Sequence, residues 1–214
     1  MDRQKKIKGQ TYALTLFIVG ISIIAYGCPR FSDLLVYDRQ NILCGELWRL
    51  LTAPFVHFSL SHMFWDILLF GSAGFAIGAA GYRGFWLVCI FAIIIPSLIF
   101  LITLPELERY GGLSGLATGG VAYFCLCSAL KTRKKRLLWL AILVGMGAKI
   151  VAETTLNAPL FVKTSSIPFR VLPSVHIFGY LGALAAIIWN WPNIRLTQAG
   201  LKPRPLARRE VTFS

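Results

Sequence analysis

The sequence predicts an all-α membrane protein: a six-transmembrane-helix bundle with an outer interfacial segment between helices 1 and 2. Three observations carry this prediction: the composition, six apolar runs of spanning length, and a one-sided placement of Lys and Arg. Of the 214 residues 56% are hydrophobic and 14% charged, and the mean hydropathy is +0.66. A soluble domain of this size carries more charged surface than that.

Crossing a hydrocarbon core of ~30 Å takes about 17–25 apolar residues in a helix. Runs of that length extend from Thr11 to Gly27, Phe55 to Gly78, Phe85 to Leu104, Leu113 to Leu130, Leu137 to Leu156, and Pro173 to Trp191. No small-residue cleavage site follows the first run, so it reads as a retained span and not as a signal peptide. The domain plan is a basic N-terminus over 1–10, a membrane domain over 11–191, and a basic tail over 192–214. That tail holds three prolines and five basic residues and is expected to be poorly ordered.

Orientation follows from the cations. One set of connecting segments holds Arg3, Lys5, Lys6, Lys8, Arg83, Lys131, Arg133, Lys134, Lys135, Arg136, Arg195, Lys202, Arg204, Arg208 and Arg209. The opposite set holds Arg30, Arg39, Arg49, Arg109, Lys163 and Arg170 together with Asp33, Asp38, Glu46, Glu106 and Glu108. Both termini are therefore expected in the cytoplasm, and the net charge of +13 is a topology signal with some attraction to anionic lipid. A nucleic-acid partner is not expected, because the cations are spread over loops and tails without interleaved aromatics.

Between the first two spans, Pro29 to Pro54 is too long for a turn and predicts short helices partly sunk in the bilayer surface. Within it, Trp48 and Arg49 suit an interfacial belt. Lys131 to Arg136 reads as a solvated cytoplasmic hinge. Of five cysteines, Cys89, Cys125 and Cys127 fall inside spans as small packing groups. Cys28 and Cys44 both fall on the outer side, where spacing alone does not decide whether they pair. No metal-ligand or dithiol motif is present, and the absence of an internal repeat gives no support to an inverted-repeat transporter.

The polar residues inside the spans carry the chemistry. At ~1.5 Å per residue, Ser114 lies ~26 Å above Lys131, His176 ~29 Å above Arg195 and Asp66 ~26 Å above Arg83, which puts three helices' polar groups in one layer near the outer surface. His62 lies one turn further out, and all three histidines of the chain, His57, His62 and His176, belong to this layer. Ionisable groups inside a membrane are costly and face an interior or a water-filled cavity. Ser114 stands between Gly112-Leu113 and Gly115 at the head of its run, although Leu116 departs from the hydrolase elbow pattern. Gly115 and Gly119 on one span and Gly179, Gly182 and Ala183 on another allow close backbone approach, so a serine nucleophile and a histidine base are expected within reach of each other. The helix start at Ser114 adds free N–H groups for a developing oxyanion.

His62 and Asp66 share one helical face. No acid is near His176 in sequence, so a dyad is expected unless the fold delivers a carboxylate from elsewhere. Lys149 and Glu153, four residues apart, read first as a self-neutralising pair and second as a group receiving a substrate terminus. Glu108 and Arg109 read as solvated loop charges.

Taken together, Trp48-Arg49, His57 and His62, Gly112-Leu113-Ser114-Gly115 and His176-Ile177-Phe178-Gly179, in this order, resemble the rhomboid intramembrane serine proteases over nearly all six spans. The resemblance implies Ser114 as nucleophile and His176 as base and then acid. It also implies an oxyanion site using the Ser114 N–H and His62, a transmembrane-helix substrate, and no cofactor. One departure is Asp66, where the family has Asn: an ionised Asp only accepts hydrogen bonds, whereas a protonated one donates. Further details are similar to the rhombosortase branch: His62-Met63-Phe64-Trp65-Asp66, Lys149 and Glu153, and then Leu160-Phe161-Val162. That branch implies substrates with a C-terminal Gly-Gly, apolar helix and basic tail, some products being joined to lipid. Two other readings remain open, a non-catalytic helix-binding chaperone and a small transporter or proton relay using His57, His62, Asp66, Lys149 and Glu153. The oligomeric state is not legible.

Overall fold

The computed structural model describes residues 3–156 and 172–198. The expected Leu160-Phe161-Val162 signature and the tail from 199 onward lie outside the described residues. Among the described residues are six long helices and, between the first two of them, three short ones: α1 (Arg3–Gly27), α2 (Pro29–Leu35), α3 (Arg39–Leu43), α4 (Arg49–Thr52), α5 (Leu60–Ala80), α6 (Phe85–Thr103), α7 (Ser114–Lys131), α8 (Arg136–Leu156) and α9 (Ser174–Gln198). Two-residue strands β1 (Tyr37–Asp38) and β2 (Arg109–Tyr110) pair antiparallel, Tyr37 opposite Tyr110 and Asp38 opposite Arg109.

Among the described residues, five helices are long and apolar enough to cross a membrane: Arg3–Gly27, Leu60–Ala80, Phe85–Thr103, Arg133–Leu156 and Ser174–Pro192. The fourth expected run, Leu113 to Leu130, forms α7, which is not among those five. The physical reason lies in its surroundings. Twelve of the 18 residues of α7 are buried, and they are mostly Gly, Ala, Thr, Ser and Cys, so its neighbours and not its own side chains supply the apolar environment. It packs against α5, α6, α8 and α9, and most extensively against α9. The expected boundaries shift elsewhere: α1 begins eight residues before Thr11, at Arg3, and α9 runs through Pro192 to Gln198, so the start of the basic tail is helical.

Close backbone approach holds the centre together. A Cβ on Gly179 would overlap the Gly115 carbonyl oxygen and lie 2.9 Å from the Gly119 nitrogen, and one on Gly119 would lie 2.9 Å from the Gly179 oxygen. Gly182, expected on this same seam, instead faces α6, where Val88 O is 3.3 Å from its Cβ position. On the other side of α5, Gly74 and Gly78 receive Thr15 and Tyr12 of α1. This is the spacing of small residues by which membrane helices pack. Hydroxyls on α1 are satisfied locally: Thr11, Thr15 and Ser22 each donate to the carbonyl four residues back. At the other end of the bundle, the Tyr123 hydroxyl donates to the Arg83 carbonyl, which also accepts Asn190 Nδ2 at 3.2 Å.

The segment between α1 and α5 is a compact group of short helices. Arg49 is its hub: buried, it donates from Nη1 to the carbonyls of Asp33 (2.6 Å) and Val36 (2.9 Å) and from Nε to Glu46 (2.6 Å). Trp48 is half exposed and donates from Nε1 to the Leu34 carbonyl at 3.1 Å. Both residues therefore fold this segment, as an interfacial belt residue alone would not.

Gly179→Val should lower the thermal midpoint in detergent by an amount equivalent to about 1–3 kcal/mol, while Gly20→Ala, whose Cβ meets nothing within 4 Å, should leave it unchanged. Equal midpoints for the two variants would contradict the backbone seam.

Candidate active site around the start of α7

The chain reaches α7 through a loop that is pinned from below. The β1–β2 pairing, the Arg39 N–H to Glu108 carbonyl bond (3.0 Å) and Arg39 Nη1 to the Leu101 carbonyl (2.7 Å) fix residues 101–110 against the segment after α2. Arg109, expected to be a solvated charge, is exposed but lies 3.5 Å from Asp33 and 3.6 Å from Asp38. Burial raises the Tyr37 and Tyr110 phenols above their ordinary values, helped at Tyr110 by the nearby Asp66 charge, so this pinned layer stays neutral there.

Two glycines then let the loop press onto its neighbours. A Cβ on Gly111 would lie 2.7 Å from the Val56 carbonyl oxygen. Gly112 has φ +128°, a backbone that L side chains rarely adopt, and its Cβ position lies 2.6 Å from His62 Cε1. The missing side chain is the space that His62 occupies. Gly115 faces the other way, 2.6 Å from Val175 Cγ1 at its Cβ position, so it seats α9 instead of lining the His62 side.

His57, His62 and Asp66 form one buried cluster. Asp66 Oδ2 lies 3.3 Å from His57 Nε2 and 3.2 Å from His62 Nε2. His57 Nε2 is also 3.3 Å from the Leu113 N–H, the backbone amide just before Ser114. The Ser59 hydroxyl accepts the His62 N–H at 3.2 Å, capping α5 and fixing where His62 enters its first turn. One carboxyl group thus orients both imidazoles beside the helix start.

On the other side of Ser114 stands His176, buried in the first turn of α9. Its Nδ1 is 2.8 Å from the Thr118 hydroxyl, and its Nε2 is 3.6 Å from Glu153 Oε2. Among the described residues the Ser114 hydroxyl makes no hydrogen bond to this ring. Ser114 and Thr118 are one turn apart on one face of α7, and the imidazole rests on the second of the two hydroxyls. Glu153, buried on α8, accepts Lys149 Nζ at 2.6 Å.

The structure therefore gathers Ser114, His176, His62, Asp66, His57, Gly112, Lys149 and Glu153 around one helix start, with Gly115 and Gly179 as the seam that permits it. Trp48 and Arg49 lie in the supporting segment. Thr118 was missed by sequence reasoning, although its place four residues after Ser114 is the available signal. Among the described residues no group of His, Cys, Asp and Glu has the arrangement of a metal site, and all five cysteines are free.

Fold and site together define a class: an integral membrane helix bundle with hydroxyl, imidazole and carboxyl groups clustered in its interior. A family model, the Rhomboid domain, matches residues 44–195, and the chain belongs to the rhomboid family. The family is one of intramembrane serine proteases acting on transmembrane-helix substrates. No curated protein matches the chain.

Gly112→Ala tests the Gly112 cradle. Backbone strain of about 1–3 kcal/mol and displacement of His62 should lower the thermal midpoint in detergent by a corresponding amount. An unchanged midpoint in that variant would show that the cradle is not required.

Proposed function

We propose that this chain is an intramembrane serine endopeptidase that uses Ser114 as nucleophile and His176 as general base. The observation that carries the reading is the glycine seam, which brings the His176 ring against the hydroxyl-bearing face of α7 at the family's Gly-Leu-Ser-Gly string. Ser114 Oγ attacks the scissile carbonyl as its proton passes to His176. The carbonyl electron pair moves to oxygen, and the resulting oxyanion meets the free N–H groups of the first turn of α7 and His62. Collapse breaks the C–N bond, His176 returns the proton to the leaving amine, and water resolves the acyl-enzyme by the same proton path. No metal or organic cofactor enters these steps.

In this reading α7 is the fourth of six spans, both termini are cytoplasmic, and the site faces the outer side of a bacterial inner membrane, in keeping with the cation distribution. The substrate is a single-span precursor cleaved near its outer boundary, and the rhombosortase-like residues favour C-terminal Gly-Gly, apolar-helix, basic-tail precursors.

Ser114→Ala should abolish cleavage of a Gly-Gly-tailed precursor in membranes, and a fluorophosphonate should label the wild type but neither Ser114→Ala nor His176→Ala. Labelling absent from the wild type would favour a helix-binding chaperone, and cleavage of other single-span proteins alone would point to a general rhomboid protease. Asp66→Asn separates the two roles open to that carboxyl group. Retained kcat means that orienting His57 and His62 is sufficient, and a fall of about 10²-fold means that the acid itself is required.

A further inference from the structure

Glu153 lies outside the expected dyad, on a helix whose ion pair first reads as a device for membrane insertion. Its position says more than that. The carboxylate is 3% exposed, and Oε2 lies between Lys149 Nζ at 2.6 Å and His176 Nε2 at 3.6 Å. Had the pair served only to neutralise itself, nothing would bring its acid to the one histidine on α9.

The two sides of the imidazole are chemically different, and together they select a tautomer. A carboxylate facing Nε2 favours a proton there, since a lone pair aimed at an anion is repelled. With Nε2 protonated, Nδ1 carries the lone pair and accepts the Thr118 hydroxyl at 2.8 Å. Nδ1 is therefore the basic nitrogen, and it faces the α7 surface on which Ser114 stands one turn from Thr118. Hydroxyl, imidazole and carboxylate follow one another in the order that serine hydrolases use. A separation of 3.6 Å is an ion-pair distance, longer than a hydrogen bond, as catalytic contacts often are before substrate binds.

We propose that Glu153 is a positioning residue for His176, holding the proton on Nε2 and stabilising the imidazolium formed when Nδ1 takes the Ser114 proton. Lys149 balances the Glu153 charge at rest, so the buried group does not demand a protonated histidine before catalysis. On proton transfer the imidazolium becomes the second cation beside Glu153, while the oxyanion forms on the Asp66 side of Ser114. Among the described residues the other charged group acting on His176 is Asp66, from α5; α6 has no charged residue, and α7 has none before Lys131. The inference rests on the reading of Ser114 and His176 as the reacting pair.

A cycle of variants tests it on full-length protein in proteoliposomes, using a Gly-Gly-tailed precursor and a fluorophosphonate as probes. Glu153→Gln should lower kcat about 10²-fold with KM little changed, slow Ser114 labelling in parallel, and be partly rescued by Glu153→Asp. The double variant Lys149→Gln/Glu153→Gln removes both charges of the pair together, and it should be as slow as the single. Recovery of wild-type kcat in the double variant would overturn the proposal, because Glu153 would then matter only as the partner of Lys149. Unchanged kcat in Glu153→Gln would overturn it equally. Cleavage persisting in Ser114→Ala is a separate failure, that of the serine protease reading itself.

Discussion

Contact between the backbones of α7 and α9 at Gly115, Gly119 and Gly179 is the constraint on which the rest of the structure depends. A hydroxyl and an imidazole are short side chains, and at an ordinary interaxial distance of 8–10 Å they would be separated by packing residues. Removing Cβ atoms from both sides brings main chain to main chain. His176 can then engage Thr118, with the first turns of the two helices side by side. The same requirement explains why α7 is not itself apolar enough to count as a span: a helix that must be approached from several sides has to be narrow, and narrow residues contribute little hydropathy.

Around this centre the chain uses different devices on its two faces. Towards α5 the arrangement is rigid and local, with a capped helix start, one carboxyl group shared by two imidazoles, and a left-handed glycine that leaves room for one of them. Arg49 and the Tyr37–Tyr110 pairing extend that rigidity, because Arg49 ties the segment after α1 together and the pairing fastens that segment to the loop before α7. Towards α8 the arrangement is electrostatic, a buried carboxylate between an ammonium group and an imidazole.

Most helices were legible because hydropathy and length are strong signals. The extension of α1 to Arg3 was not, because its first turns are cationic; nor was the run of α9 past Pro192, because a proline inside a helix is tolerated when its neighbours allow it. At the site, Ser114, His176, His62 and Asp66 stood out as polar residues at a common depth, a property of position along each helix. What depth cannot give is azimuth. Gly182 sits at a suitable height for the α7 seam yet points to α6, Gly115 points to Val175 and not to His62, and reading Lys149 and Glu153 as a self-neutralised pair gives no hint of the approach to His176. Arg49 shows the same limit, since a cation beside a tryptophan suggests a membrane surface, whereas its donors turn inward to three acceptors.

Of the span windows, that of α8 is the least buried, at 6%, with Leu137, Val144 and Val151 turned outward. Among the described residues, protein contact restrains this helix mainly through α7, and its outward side chains are apolar. In a bilayer such side chains meet acyl chains, so the height and tilt at which Glu153 meets His176 depend on the thickness and lateral pressure around α8. Acyl-chain length thereby reaches the buried cluster through a helix that detergent solvates differently from a membrane.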